Sequence, residues 1–481
     1  MAGLLGIGLT GINSAQANLL TTSHNITNAN TPGYNRQTTV ITTNDPLFSG
    51  AGFFGQGSKV DGVRRQYDQF LGQQVLNASA RKEEFSAYGA QISQLDNLLA
   101  DPNAGLSPAL ADFFAGVQDV ATNPASIPAR QALISTAESL AARFNSLDTR
   151  LNEIRDLNEG QIVSTIDSIN AYARQIADMN QRIGVLQVGG PSIPANDLLD
   201  QRDNLVTELN KLVKVSTLTE SDGSLSVFVG SGQSLVVGSA VSQLEVRRPD
   251  PADPFRGEIH LVAPNNGSVS LPDSLFSGGQ LGGLLKFRGE TLDSARTQLG
   301  QLAISVATEF NAQHRAGLAL DGTTTNIDFF ADIGPMAADP VSLRMAAGSF
   351  AVAISDPRAI AASGANDAAR GVAAGGSNNE NALKLAALQS TRIMNGGTAT
   401  FQSSYSQLVS FVGNKTREVQ IGEAAQEAQL QQATDAQQAL SGVNLDEEAA
   451  NLIRYQQSYQ AAARVMSVAG TLFDEILSIA R

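Results

Sequence analysis

The first 35 residues contain no Lys, Arg, Asp or Glu, and Arg36 is the first charged side chain. The same stretch repeats every seven residues: Leu5, Ile12, Leu19 and Ile26, with Leu9, Ala15 and Thr22 beside them. Wound as a helix, these residues make one apolar stripe, and the other faces carry Gly, Ser, Thr, Asn and Gln. A helix facing water would normally carry charges there. An apolar stripe with a neutral back suits a place touched by protein on several sides. Each large apolar side chain contributes roughly 1.5–3 kcal/mol when buried. Ordering the backbone costs about 1–2 kcal/mol per residue, and isolated helices are marginal in water. The segment is therefore expected to fold only against a partner.

The chain has 481 residues, enough for two or three domains. Its net charge is −14 and its pI about 4.7. That balance argues against nucleic acid or an anionic membrane as the main partner, since both require a basic face. There is no cysteine, so disulfides, thiolate chemistry and Cys-ligated zinc are excluded. No apolar run approaches the roughly 18 residues of a membrane span. The N-terminus lacks the basic region and unbroken apolar core of a cleaved signal peptide, so export would need another route. Trp is absent and aromatics are 5 %, a composition of long, modestly packed helices rather than of an aromatic-lined pocket.

Along the chain, Thr31, Pro32 and Gly33 end the opening helix. Residues 44–62 read as an extended loop with a hairpin around Phe53 and Phe54. Helical periodicity returns over 64–100, and Ser107 and Pro108 form a plausible N-cap and N1 pair for a short helix. Residues 129–187 form one long run. Leu140, Phe144, Leu147, Leu151 and Ile154 keep a 4-3-4-3 spacing, and after a stutter Ile162, Ile166, Ile169, Ala173, Ile176 and Ile183 resume it. So long a pattern means coiled coil or helical bundle. A shorter helix spans 196–212. Short strands between Asp-Gly, Ser-Gly and Asn-Gly turns fill 213–285. Helices are expected at 290–317, 380–394 and 399–440, with weak strands at 341–344 and 350–354. The fold expected is mainly α with an inserted β-rich domain, an elongated helical bundle whose N- and C-terminal helices pair. Three domains are expected: 1–43 with 443–481; 44–212 with 286–317 and 380–442; and 213–285 with 318–379.

The other end matches the first. Ser441 and Gly442 break the last long helix, and Asn444 to Glu447 has capping-box spacing, with acids in the first turn where the helix dipole favours them. The helix that follows carries Leu445, Leu452, Tyr459, Met466, Phe473 and Leu477 at coiled-coil spacing. It is the natural partner of the Leu5–Ile12–Leu19–Ile26 stripe, and both terminal stripes are read as seams between subunits. The 129–187 rod is read as an ordinary internal core.

Two runs make the chain resemble a known family. Ala29, Asn30, Thr31, Pro32, Gly33, Tyr34, Arg36 and Gln37 resemble the N-terminal motif of bacterial flagellar rod, hook and hook-associated proteins. Gly442, Val443, Asn444, Leu445, Asp446, Glu447 and Glu448 resemble the C-terminal motif of the same axial proteins. The middle resembles the hook-associated members of the hook–filament junction, at 196–206 followed by strands and at 281–288 leading into a helix ending near Gln313 and His314. A hook protein would enter β-domains soon after the opening motif, whereas this chain enters helices. The resemblance implies a structural, non-enzymatic subunit that self-assembles through its terminal helices into the junction ring. Its implied neighbours are further copies of itself, the flagellar hook protein and the second junction protein. It also implies secretion through the flagellar type III route to the extracellular flagellum, with a cytosolic chaperone on the C-terminal helix. Another axial protein (hook, rod or second junction protein) and a soluble coiled-coil adaptor are the alternatives. An adaptor would carry charged e and g positions from its first heptad, which residues 1–35 lack.

Chemistry is sparse. Gly6, Gly8 and Gly11 match the dinucleotide fingerprint formally, but that motif needs a preceding strand and only five residues precede it. They are read as small residues for close helix packing. His24, His260 and His314 stand far apart, without a metal or triad pattern. Asp446, Glu447 and Glu448 read as a capped helix start rather than as acid–base groups. No catalytic, cofactor or metal site is expected.

Overall fold

The computed structural model describes residues 2–50, 52–101, 105–187, 195–249, 251, 253–265, 267–364 and 377–479. Helix α1 (Ala2–Asn28) runs antiparallel to the last helix, α11 (Leu445–Ile479), and the two pack along each other. The expected pairing of the ends is present. Between them lie α2 (Gln69–Ala100), α3 (Leu106–Thr122), α4 (Ile127–Gln187), α5 (Asn196–Leu212), α6 (Gly279–Lys286), α7 (Asp293–Arg315), the short α8 (Pro340–Met345) and α9 (Glu380–Ala387), and α10 (Phe401–Ser441). At 61 residues, α4 is about 90 Å long.

Local chemistry sets several boundaries. Asp68 caps α2 by accepting from the N–H groups of Phe70 and Leu71. Thr400 and Ser403 form a reciprocal capping box on α10. The expected cap at Ser107 is corrected: Gly105 is the N-cap and the helix starts at Leu106. The helix expected over 380–394 stops at Ala387. Met394 then bridges to Ala399 around a turn with positive φ at Asn395, Gly396 and Gly397.

Two apolar cores share α4. The first joins its N-terminal half to α2, α3, α7, α9 and α10, and centres on Phe113, Phe144, Phe310, Phe329 and Phe330. The second joins the C-terminal half of α4 to α5, α6 and the β-strands. There β5 (Val215–Thr219), β6 (Leu225–Val229), β7 (Gln233–Val237) and β8 (Ala240–Val241) form an antiparallel meander. A second sheet follows the order β11 (Ser268–Leu271), β10 (Glu258–Val262), β9 (Gln243–Arg247). Asparagines on α4 fasten both sheets: Asn170 exchanges two hydrogen bonds with the Leu244 backbone, and Asn180 does the same with Leu225.

Two expectations about domain membership are corrected. Residues 318–364 do not pack with the β-rich part, because Phe329, Phe330, Ile333 and Phe350 are buried in the first core. The strand expected at 341–344 lies within α8, which Asp339 caps. The stretch at 350–354 makes only one isolated bridge, Phe330 to Val352. Residues 365–376, expected in the same part, lie outside the described residues. Secondly, the hairpin expected at Phe53 and Phe54 is present, and the extended loop expected around it over 44–62 is part of a longer ribbon. β1 (Gln37–Thr43) pairs with β4 (Ser58–Arg65), and β2 (Leu47–Ser49) with β3 (Gly52–Phe54) beyond it. The ribbon lies along α1, with Thr39 against Thr21 and Ser58 against Ser14, so residues on both sides of position 43 pack on that helix.

Candidate functional site

The two terminal motifs meet. Thr31, Pro32 and Gly33 turn the chain out of α1. Gly33 has φ +78°, and a Cβ there would lie 3.1 Å from the Cβ of Asn204 on α5, so glycine serves both the turn and the close approach. The loop then folds back on α1: Tyr34 Oη donates to Asn25 Oδ1 (2.7 Å), Gln37 N donates to the same oxygen (3.0 Å), and Asn25 Nδ2 donates to Gln37 O (2.9 Å). Asn25 is buried and three of its hydrogen bonds are local.

The next residue grips the far end of the chain. Arg36 Nε donates to Glu448 Oε1 (2.7 Å) and Nη2 to Glu447 Oε1 (2.6 Å), while Arg36 N donates to Ser441 O (2.8 Å). Glu448 is 1 % exposed. Partial burial works against the Arg36 charge, but the hydrogen bonds and charges of Glu447 and Glu448 outweigh it and hold the guanidinium above its ordinary value. Asn444 caps α11, its Oδ1 accepting from Asp446 N (3.0 Å) and Glu447 N (3.3 Å). The acidic start of α11 therefore has two uses: a helix end and the partner of Arg36.

Helix α5 is the third member of the joint. Asp200 accepts from Asn35 N (3.0 Å), Asn35 Nδ2 (2.6 Å) and Arg65 Nη1 (2.9 Å). Arg65 also reaches Asp203 (2.6 Å) and stacks over Tyr67 at 4.5 Å. Gln37 is held between Asp197 and Asn196. Asn196, Asp200 and Asp203 stand at i, i+4 and i+7, so they share one helix face; that spacing was the available signal. Burial, then the charges of Asp197, Asp200 and Glu448, push the Tyr34 phenol well above its ordinary value, so it stays a neutral donor. Beside this joint an open cleft of about 1200 Å³ separates the motif loop and α5 from the last turns of α10.

The terminal seam is not the one the heptads suggested. Leu5, Ile12, Leu19 and Ile26 are each half-buried. The tightest contacts are made by glycines: a Cβ on Gly8 would lie 2.8 Å from Met466 Cγ, and one on Gly11 3.3 Å from Ala462 Cβ. Ala15 and Thr22 are buried. Small residues bring the two backbones close, and the large residues flank the contact. On α11, Leu452 and Met466 are half-buried, whereas Leu445, Tyr459 and Phe473 are exposed. The inward face runs through Glu448, Leu452, Tyr455, Ala462, Met466 and Ala469, so of the expected stripe only Leu452 and Met466 lie on it. The side chain of Leu477 lies outside the described residues. Of the loop motif, Ala29 is half-buried and Asn30, Thr31 and Pro32 are exposed; Gly442 and Val443 are half-buried beside Ser441.

Among the described residues no group of three or more His, Asp or Glu side chains is placed to hold a metal ion, and no helix is long and apolar enough to cross a membrane. Fold and joint together define an elongated helical subunit whose two ends are folded as one unit and latched to its body. Known proteins are similar to this chain. A family model described as the flagellar hook-associated protein FlgK helical domain matches residues 92–330, and one described as the flagellar basal body rod FlgEFG protein C-terminal matches 436–479. Flagellar hook-associated protein 1 of Salmonella typhimurium is 34 % identical over 555 residues, covering 100 % of both chains, and that of Escherichia coli (strain K12) is 33 % identical over 554, with the same coverage. The Bacillus subtilis protein of that name is 27 % identical, covering 97 % of this chain and 96 % of its own. The solved hook junction protein FlgK of Burkholderia pseudomallei shares the fold, with a TM-score of 0.67 at 24 % identity over 76 % of this chain and 100 % of its own. The chain belongs to the flagellar hook-associated protein 1 family.

Proposed function

We propose that this chain is a structural subunit of the hook–filament junction that assembles with further copies of itself through its paired terminal helices. The observation that supports this most directly is the state of those helices. They are joined to each other through Arg36, Glu447 and Glu448 and to the body through Asn35, Gln37 and α5, yet Leu4, Leu9 and Leu20 on α1 and Ile453, Val468 and Phe473 on α11 remain exposed. Apolar side chains left uncovered on this helix pair, one of whose helices carries no charge, suit burial against neighbours. In this reading residues 1–43 and 443–481, with the ribbon up to residue 65, form the assembling unit. The long helices form a body around it, and the sheets of 213–285 project from that body. The hook protein adjoins the ring on one side and the second junction protein on the other. The chain leaves the cell by the flagellar type III route, with a chaperone holding α11 beforehand, and works outside the cell without catalysis.

Deleting the gene in its host tests the reading. Intact hooks without filaments, with filament protein shed into the medium, are expected. Normal filaments in the deletion strain would overturn it.

A further inference from the structure

The β2–β3 hairpin is an exposed apolar tongue. Leu47, Phe48, Phe53 and Phe54 are 63, 66, 72 and 56 % exposed. Phe48 lies opposite Phe53 and Leu47 opposite Phe54. Neighbouring residues on a strand point to opposite faces, so both faces of the tongue are apolar. The Phe48 and Phe53 rings touch, with centroids 5.2 Å apart. Residues 46–57 carry no charge. A two-stranded hairpin is marginal in water by itself, and an exposed apolar cluster of this kind marks an interaction site.

The surface that matches it is on the same molecule. Val465, Val468, Leu472 and Ile476 follow one another at 3-4-4 spacing and are all exposed, so α11 carries a second apolar stripe beside the face that α1 covers. Gly57, at the base of the hairpin, sits against Ile7 and Thr10, and Gly8 sits against Met466. Hairpin and stripe therefore lie at the same end of α1, each fastened to it separately and each left uncovered. With a net charge of −14, copies of the chain repel at long range, and the uncharged hairpin against the apolar stripe, which Asp474 and Glu475 flank, is where they can touch.

We propose that the β2–β3 hairpin of one copy covers the 465–476 stripe of the next. Two different patches on one chain make a head-to-tail contact, which propagates into a ring or a helix rather than stopping at a symmetric pair. The inference rests on the self-assembly proposed above and names one contact within it.

The absence of native cysteine gives a direct test. Phe53→Cys and Leu472→Cys are expressed together in the host in place of the wild-type gene, and isolated flagella are oxidised. A reducible dimer that requires both variants is expected. Its absence from assembled flagella, or a disulfide from Phe53→Cys, paired with a cysteine scan of the hook protein, to that subunit instead, would overturn the inference. A second variant, Phe53→Ser with Phe54→Ser, is checked for unchanged melting in solution and is expected to lose filaments. If the deletion strain keeps its filaments, the proposed function fails. If the deletion removes filaments and the double variant restores them fully, the hairpin contact alone fails.

Discussion

The helical body and the terminal pair are both made of long helices, but they cohere by different means. In the body, the first core packs phenyl rings at tilted angles: Phe113 lies 5.2 Å from Phe310 and 5.5 Å from Phe330, and all three are fully buried. In the terminal pair, the contact is made by Gly8, Gly11, Ala15 and Ala462, and the leucines and isoleucines beside it are half in water. The body keeps its apolar side chains for itself. The terminal pair keeps only enough contact to stay aligned, and its alignment comes largely from the polar latch at its base.

The largest effect should separate the two. Phe113→Ala opens a cavity in a closed core and is expected to cost about 3–5 kcal/mol. Met466→Ala removes a half-buried side chain from the terminal seam and is expected to cost about 1–1.5 kcal/mol. Chemical denaturation of the purified chain measures both. Equal losses would mean that the terminal pair is as much a core as the body is.

Arg36→Ala should come next. It leaves Glu448 buried without its cation, a change of about 3–5 kcal/mol for a fully buried pair, reduced here because Glu447 is half exposed. The loss should be local. Hydrogen exchange or limited proteolysis should find residues 1–65 and 443–479 opening sooner, while α4 stays protected. Arg36→Lys should recover part of the effect, since one ammonium cannot serve both carboxylates in the guanidinium's geometry. Uniform loss of protection across the chain would deny that the latch belongs to the terminal unit.

Acid should act on the body through His314. The ring is buried, its Nδ1 donating to Ile327 O (2.7 Å) and its Nε2 accepting from Ala361 N (2.9 Å). Burial holds its pKa below the ordinary value, against the pull of the Ile327 carbonyl and Asp328. The folded state therefore resists the proton that the unfolded chain accepts below about pH 6.5. The stability this contributes is present above that pH and is lost as pH falls further. Melting temperature should drop on acidification, and His314→Gln should flatten that slope from a lower starting value. An unchanged slope would show that other groups carry it.

How legible each region was follows from the same contrast. The α4 rod could be read because its spacing, Leu140 through Ile154 and again Ile162 through Ile183, is that of a closed core where large residues face inward. The terminal seam was half legible: Gly8 and Gly11 pack closely, as small residues there are expected to, but a hydrophobic repeat locates large side chains, and here these flank the contact. The latch was half visible. Arg36, Glu447 and Glu448 stood in the two motifs, but nothing in either motif says that they pair over more than 400 residues. Asp200 and Asp203 share one helix face by their spacing, but nothing local to α5 names the distant loop and Arg65 as their partners. Residues 318–364 were assigned to the wrong part because Gly- and Ala-rich stretches look alike in loops and in β-rich domains, while the phenylalanines that bury them are few.

The smallest effect on the free chain should be the largest on its assembly. Leu20 is 65 % exposed on the neutral face of α1, away from both α11 and the ribbon. Leu20→Asp meets water in the isolated chain, and surface changes of this kind fall within about 0.5 kcal/mol. Helix content and melting temperature should not move. In an assembly that buries this face, the same carboxylate loses its hydration without a partner, which is prohibitive for a group that cannot find a cation among residues 1–35. The substitution is therefore a cleaner probe than one at Ile12 or Leu19, which are half-buried within the chain and would disturb the pair itself. Filaments on a strain carrying Leu20→Asp would mean that this face of α1 stays in water after assembly, and that the terminal pair differs from the body only in packing and not in what it is for.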